Sequence, residues 1–291
     1  MKKCEALFSR ERKSFHKRLI TEGILSIDEE GVASNADRGN SPSKDIARSI
    51  AFQLGAESGT KQKGQTSGSN FEQCVCDFVA TTFTELSEIR PGKWDVIKLG
   101  NRGRLTTADF SQYEHLHVLQ KAVERDPQLA AALGNGYLIA PDIVISRDLY
   151  EDKEINHPRY YIDDHVCLKA DLRKSNGGRP ILHASISVKW TIRSDRAQNS
   201  RTESLNLIRD RKGRLPHIMV VTGEPLPSRL MSLALGTGDI DCVYHFALYE
   251  LLKAAKEQAL KGREDILEQL ESMIDGKRLK DISDLPLDLA C

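Results

Sequence analysis

One lysine and several carboxylates are spaced in this sequence so that they could share a reactive site. Lys189 stands two residues after Ser187 in an apolar stretch, and Asp142 stands in another apolar stretch. Because residues two apart on a β-strand point to the same face, Ser187 and Lys189 would face the same way. Glu203 follows on the next predicted helix, and Glu72 lies in the first turn of an earlier one. Two strands and two helices would have to bring these five side chains together.

Carboxylates that converge with a lysine suit metal-assisted hydrolysis of a phosphodiester. Mg²⁺ prefers oxygen ligands, keeps several waters and takes phosphate oxygens as further ligands. It polarises the phosphate and lowers the pKa of a bound water, while a lysine could position that water or neutralise the growing charge. The same residues also allow a structural interpretation, in which Asp142 caps a turn, Lys189 reaches solvent from a strand end and Glu203 is a solvated helix residue. The spacing alone leaves both interpretations open.

A locally basic segment follows Lys189. Residues 193–214 include seven basic and three acidic residues, a local net charge of +4. The segment begins Arg193-Ser194-Asp195-Arg196, which places two guanidinium groups around one carboxylate. Arginine pairs bidentately with guanine and aspartate accepts from cytosine N4, so these residues could read adjacent G·C pairs in the major groove. Alternatively, they form a surface salt-bridge cluster with Asp195 as the helix N-cap.

The apolar periodicities predict strands that alternate with helices, and therefore an α/β sandwich. Helices are predicted at 9–25, 45–54, 69–89, 109–133 (one or two helices), 196–211, 240–260 and 264–274, and strands at 94–99, 137–147, 180–192 and 217–222. The polar, glycine-rich segment 55–68 is predicted to be a loop. Within the predicted helix 240–260, the apolar residues 243–252 either pack in the core or form a subunit interface.

The composition indicates a soluble globular chain and excludes several classes of protein. The 291 residues include 42 basic and 42 acidic ones, which excludes a nonspecific polycation but not a local basic patch for nucleic acid. No apolar run approaches the roughly 18 residues that span a bilayer, and the N-terminus lacks a signal-peptide apolar region. The six cysteines include no C-x-x-C pair, so we expect reduced thiols in a cytoplasmic protein, without structural zinc or disulfides.

Four elements of the sequence together resemble the Type II restriction endonucleases that cut within a CCGG core: Pro141-Asp142, Ser187-Val188-Lys189, Arg193-Ser194-Asp195-Arg196 and Glu203. The full site that this resemblance implies is GCCGGC. In these endonucleases a serine replaces the usual second acid beside the lysine, and a glutamate on the next helix substitutes for it. Ser187 and Glu203 show that exchange. The resemblance extends over nearly the whole chain and includes residues 34–37, 64–68, 183–203, 211–217, 234–238 and 276–286.

The resemblance implies a fold and a role for individual residues. It implies the PD-(D/E)XK fold, an α/β fold with a central mixed sheet flanked by helices, with residues 1–291 as a single domain with helical additions. The implied catalytic residues are Asp142, Lys189, Glu203, Ser187 and Glu72, of which Asp142 and Glu203 would bind Mg²⁺. The implied DNA-binding residues are Arg193, Asp195 and Arg196 for the CCGG core, Asp37 and Arg229 for the outer G·C pair, and Gln65 in the minor groove.

The resemblance also implies an activity and partners. The enzyme would cut double-stranded DNA at GCCGGC after the first G, leaving 5′-CCGG overhangs, as a tetramer formed by a dimer of dimers. A palindromic site requires a two-fold protein, because each subunit reads one half-site. A cognate DNA methyltransferase would act on the same site without forming a stable complex. The alternatives are a PD-(D/E)XK nuclease with another role, such as repair, and an inactive sequence-specific DNA-binding protein, against which the intact acid and lysine set argues.

Overall fold

The structure is a computed structural model that describes residues 5–57, 64–99, 106–133, 141–236 and 238–291. The side chains of residues 64–67, 130, 132–133 and 194–197 lie outside the described part. None of the described helices combines the length and the apolarity needed to cross a membrane.

A six-stranded mixed sheet forms the centre of the described chain, with the strands in sequence order. The strands are β1 (Trp94–Lys98), β2 (Ile143–Arg147), β3 (Ile181–Lys189), β4 (His217–Thr222), β5 (Cys242–His245) and β6 (Leu279–Asp281). Strands β1 to β3 pair antiparallel, whereas β3 to β6 pair parallel, with Lys189 opposite Thr222. The carboxyl ends of β3 and β4 therefore lie side by side at one edge of the sheet. The predicted fold class, a central mixed sheet with flanking helices, is confirmed.

The helices cover this sheet. They are α1 (Leu7–Thr21), α2 (Ser41–Gln53), α3 (Gly64–Phe83), α4 (His115–Val123), α5 (Pro127–Leu133), α6 (Asp152–Ile155), α7 (Ser194–Asp210), α8 (Pro227–Ala234), α9 (Leu248–Ala259), α10 (Glu264–Asp275) and α11 (Leu285–Leu289). Alternate residues of β3, Ala184, Ile186 and Val188, enter the main hydrophobic core. Since side chains alternate along a strand, Ser187 and Lys189 point to the opposite face, where α7 lies.

The predicted helix 240–260 is wrong in its first part. Cys242–His245 form strand β5, which pairs with β4 on one side and β6 on the other, and the helix begins only at Leu248. Val243, Tyr244 and His245 are completely buried. A short apolar run directly before an amphipathic helix has no period of its own, so it merges with the helix in the sequence pattern. This part of segment 243–252 therefore belongs to the core of the subunit.

The start of the long helix before β1 also differs from the prediction. Helix α3 begins at Gly64, not at residue 69, so Glu72 lies in its third turn, not its first. The polar residues 64–68 favour a loop by their intrinsic propensity, but packing of the following apolar face fixes the segment as helix. The strand predicted at 137–147 is observed at Ile143–Arg147, while residues 137–140 lie outside the described part.

Candidate active site

Asp142 and Lys189 meet where β2 begins and β3 ends. Asp142 immediately precedes β2, and its backbone oxygen accepts a hydrogen bond from the Leu99 amide at 3.0 Å. Its carboxylate Oδ2 accepts from the Lys189 Nζ at 2.8 Å and from the Val188 amide at 2.7 Å. The two side chains are only 22% and 19% exposed. The antiparallel pairing of β2 with β3 thus fixes the acid against the lysine.

Helix α7 carries Glu203 to the same face of the sheet. The Ser187 hydroxyl of β3 lies 3.2 Å from the Ser200 hydroxyl of α7. Because residues three apart share one side of a helix, this contact turns Glu203 towards β3. Burial raises the pKa of the Glu203 carboxyl, Lys189 opposes the shift and Asp142 adds to it. Glu203 therefore lies within electrostatic reach of both Lys189 and Asp142.

Glu72 adds a third carboxylate from α3. Burial, followed by the negative charge of Asp142, raises the pKa of the Glu72 carboxyl. Its Oε2 lies 3.4 Å from the Nζ of Lys98, which itself donates to the backbone oxygen and the hydroxyl of Ser69. We refer to Asp142, Lys189, Glu203 and Glu72 as the acid–lysine cluster.

The donor set of this cluster fits a divalent cation. Two of its three carboxyls have a raised pKa, so a positive charge among them would relieve both burial and mutual repulsion. Within the described part of the chain, no donor reaches the second carboxylate oxygen of Asp142 or the carboxylate of Glu203. Among the same residues no group of three or more Asp, Glu, His or Cys side chains is arranged to hold a metal ion. A divalent cation at Asp142 and Glu203 would therefore need waters or substrate oxygens as further ligands.

The predicted readers of the DNA core begin directly after β3. Arg193 is exposed and occupies the N-cap position of α7, which begins at Ser194, so the alternative of Asp195 as N-cap is wrong. Asp195 and Arg196 lie in the first turn of α7, but their side chains are outside the described part. The side chain of Gln65, in the first turn of α3, is outside it as well.

Asp37 and Arg229, 192 positions apart, form a direct ion pair. The Arg229 guanidinium, with a hydrogen bond from the Gly39 amide, holds the pKa of the Asp37 carboxyl below its usual range, and Arg193 adds to the effect. The structure thus brings together both residues predicted for the outer pair and places them within electrostatic reach of Arg193.

Glu224 is a site residue that the sequence reasoning missed. It is completely buried, two residues after β4, and its carboxylate accepts from the backbone amides of Ile192 and Leu226. Its Oε2 also lies 3.8 Å from Arg229 Nη1. The available signal was an acid directly after an apolar strand, at the carboxyl edge where α/β sheets bind ligands. We refer to Asp37, Arg229 and Glu224 as the arginine cluster.

The ends of strands in this mixed sheet carry an aspartate and a lysine, with a glutamate nearby. Together with the known proteins that the chain is similar to, this arrangement defines a Type II restriction endonuclease, which is a site-specific deoxyribonuclease. The chain belongs to the NgoMIV restriction enzyme family, whose model matches residues 15–291. It is 55% identical over 287 residues to the Type II restriction enzyme NgoMIV of Neisseria gonorrhoeae, which covers 98% of this chain and 99% of that protein. The resemblance to Type II restriction endonucleases inferred from the sequence is confirmed.

Two solved structures are also similar in part. One is the Type IIF restriction endonuclease Bse634I with cognate DNA, with a TM-score of 0.36, 14% identity and coverage of 89% of this chain and 92% of that chain. The other is a complex of the restriction endonuclease PspGI with substrate DNA, with a TM-score of 0.30, 13% identity and coverage of 98% and 92%.

Proposed function

We propose that this enzyme cuts double-stranded DNA at GCCGGC with Mg²⁺, after the first G, and leaves 5′-CCGG overhangs. The observation that carries the chemistry is the contact of Lys189 with Asp142 at 2.8 Å, within electrostatic reach of Glu203. Membership in the NgoMIV family supports the choice of site. The whole chain, residues 1–291, would form a single nuclease domain with helical additions and act in the cytoplasm.

Each member of the acid–lysine cluster has a distinct task in this proposal. Asp142 and Glu203 would hold Mg²⁺, which when bound would polarise the phosphate and lower the pKa of the water that attacks it. Lys189, fixed by Asp142, would orient that water and balance the negative charge that develops on the phosphate. Glu72 supplies further negative charge beside Asp142. Ser187 contributes no ligand charge and acts through its contact with Ser200, which orients α7.

In this proposal the DNA sequence is recognised by side chains just beyond the same strand ends. Arg193 and Arg196 would each donate two hydrogen bonds to a guanine of the core, and Asp195 would accept from a cytosine N4. The ion-paired Arg229 and Asp37 offer the same combination of donor and acceptor to the outer G·C pair. Gln65 would contact the minor groove.

The palindromic site determines the assembly that we propose. Each half-site needs one subunit, so the minimal active unit is a two-fold dimer. We propose that two such dimers form a tetramer that holds two DNA copies. A cognate methyltransferase would protect the same sequence in the host DNA without a stable complex with this enzyme.

A plasmid digest separates this proposal from its alternatives. Plasmid DNA with one GCCGGC site is incubated with the enzyme and Mg²⁺, and the cut ends are sequenced. We expect one pair of ends with 5′-CCGG overhangs. A repair nuclease would give ends at lesions or at unrelated sequences, and an inactive DNA-binding protein would shift the DNA in a gel without cutting it. Ends that map to sites without CCGG would contradict the assignment of Arg193, Asp195 and Arg196.

A further inference from the structure

The dipeptide Gly223-Glu224 directly follows β4 and contacts four separate parts of the chain. Lys189 and Thr222 are paired at the ends of β3 and β4, so the dipeptide leaves the sheet next to the catalytic lysine. The segments it meets are the end of β3, the start of α7, the start of α8 and the loop that carries Asp37. Each of them carries a residue of the proposed catalytic or DNA-reading set.

Gly223 connects the end of β3 to the loop that carries Asp37 through two hydrogen bonds. Its amide donates to the backbone oxygen of Lys189 at 3.1 Å, and its own oxygen accepts from the buried Asn35 side chain at 2.7 Å. A Cβ at position 223 would lie 2.4 Å from a ring atom of Trp190, so only glycine allows this approach. Asn35 stands two residues before Asp37, and the spacing of Asp37 from Lys189 is therefore set through Gly223.

Glu224 connects the segment that carries Arg193 to the segment that carries Arg229. One carboxylate oxygen accepts from the Ile192 amide at 2.8 Å, directly before Arg193, and the other accepts from the Leu226 amide at 3.2 Å, directly before α8. Arg229 stands in the first turn of α8, with its guanidinium 3.8 Å from the same carboxylate. An ionised carboxylate only accepts hydrogen bonds, so it satisfies both amides at once.

Glu224 makes these contacts in the protein interior. The side chain is completely buried, and burial raises its pKa to about 7. A buried amide that loses its acceptor is unfavourable, so the two segments move if the carboxylate changes. Hydrogen bonds to base edges tolerate little displacement, because their strength depends on donor–acceptor distances near 3 Å.

We propose that Glu224 is a positioning residue that holds Arg193 and Arg229 in register and thereby sets the discrimination at the outer G·C pair. This inference rests on the proposed function, in which Arg229 and Asp37 read that pair. Glu224 itself touches no DNA in this proposal. It acts through the backbone of Ile192 and Leu226 and through the guanidinium of Arg229.

The test compares Glu224→Gln with the wild-type enzyme on two DNA duplexes. One carries GCCGGC and the other carries ACCGGT, which keeps the core and changes only the outer pair. Glutamine has the same shape, but its amide nitrogen must face one of the two backbone amides as a second donor. We expect the ratio of kcat/KM for GCCGGC to that for ACCGGT to fall by roughly tenfold or more, as expected for misplaced positioning groups.

A matched control separates positioning from a general loss of stability. Glu250→Gln also removes a largely buried carboxylate, one that pairs with Arg12 at 2.6 Å in another part of the molecule. It should lower the melting temperature and leave the cleavage ratio unchanged. If Glu224→Gln does not fold, Glu224→Asp keeps the charge but shortens the reach, and should lower the ratio in the same direction.

The outcomes are distinguishable. A wild-type enzyme that cuts both duplexes equally would overturn the proposed function, and this inference with it. A wild type that discriminates, together with a Glu224→Gln or Glu224→Asp variant that keeps the same ratio, would overturn only the inference. An equal fall in the ratio for Glu250→Gln would overturn it as well, since the effect would then come from stability alone.

Discussion

The acid–lysine cluster and the arginine cluster lie at the same edge of the sheet, yet charge is balanced differently in the two. In the first, burial and neighbouring negative charge raise the pKa of the Glu203 and Glu72 carboxyls. In the second, Arg229 lowers the pKa of the Asp37 carboxyl. Burial raises the pKa of Glu224 there as well, but its carboxylate accepts hydrogen bonds from two backbone amides.

This difference indicates how each cluster is completed. Carboxylates that are left with excess negative charge favour a bound cation, so the acid–lysine cluster is unfavourable until one arrives. Asp37 and Arg229 already balance each other's charge within the chain, so in the proposed function they would present fixed groups to DNA and need little reorganisation on binding. In the proposed function the acid–lysine cluster would therefore contribute reactivity at a cost in stability, whereas the Asp37–Arg229 pair would contribute both stability and specificity.

Asp142→Asn should have the largest effect on the acid–lysine cluster. It removes one proposed metal ligand charge and the charged partner of Lys189, so we expect cleavage to fall by roughly 10³-fold or more, as for other losses of preorganised charge. The measurement is the single-turnover cleavage rate on a GCCGGC duplex with Mg²⁺. Asp148→Asn is the matched control, because Asp148 is an exposed acid just beyond the other end of β2. Similar rates for the two variants would place the metal elsewhere.

Arg229→Ala should act on the arginine cluster and leave the chemistry intact. Losing a base contact costs about 1–3 kcal/mol of discrimination, so preference for the outer G·C pair should fall by roughly 5- to 150-fold. Cleavage rates on duplexes with GCCGGC and ACCGGT measure this change. The control is Arg38→Ala, which removes an arginine that is 51% exposed and pairs with Asp28. Loss of preference for CCGG itself would mean that Arg229 reads the core.

Ser187→Ala should have a smaller effect than either change. The serine brings no ligand charge, and its hydrogen bond to Ser200 only orients α7. Losing such a bond costs about 0.5–1.5 kcal/mol, so the cleavage rate should fall by roughly two- to tenfold. Ser204→Ala serves as the control, because that buried hydroxyl bonds to the Ser200 backbone within α7. A fall as large as for Asp142→Asn would make Ser187 part of the metal site.

Without added metal, substitutions of Glu203 and Asp37 should shift the melting temperature in opposite directions. The folded-state pKa of Glu203 is raised, so folding loses stability as pH rises above the unfolded value near 4.5. Glu203→Gln should therefore melt higher than the wild type at pH 7.5, by about 2–4 °C, and this gain should vanish below pH 4.5. The pKa of Asp37 is lowered, so Asp37→Asn should melt lower at pH 7.5, with the gap closing as pH falls below 3.8. Shifts of the melting temperature in the same direction for Glu203→Gln and Asp37→Asn at pH 7.5 would contradict this difference between the two carboxyls.

The strands and helices with long apolar patterns could be predicted from the sequence. The strand predicted at 180–192 is observed at Ile181–Lys189, and the helix predicted at 196–211 is observed at Ser194–Asp210. Strand β5 was missed because a run of only four residues shortly before a helix carries no separate period, and the three-residue β6 is too short to form a pattern. Glu224 belongs to no motif, and only the contacts of its carboxylate with Ile192, Leu226 and Arg229 in the folded chain show its place.

The central claim is that Glu203 supplies the second catalytic acid, because Ser187 stands at the position where that acid is usually found. A paired assay on Glu203→Gln tests this claim most directly. Binding to a GCCGGC duplex is measured by gel shift with Ca²⁺, whose looser coordination should support binding without turnover, and cleavage is measured with Mg²⁺. We predict that the variant binds GCCGGC specifically but cuts it slower than the wild type by orders of magnitude, roughly 10²-fold or more. Near-normal cutting by Glu203→Gln would show that the second catalytic acid is a different residue.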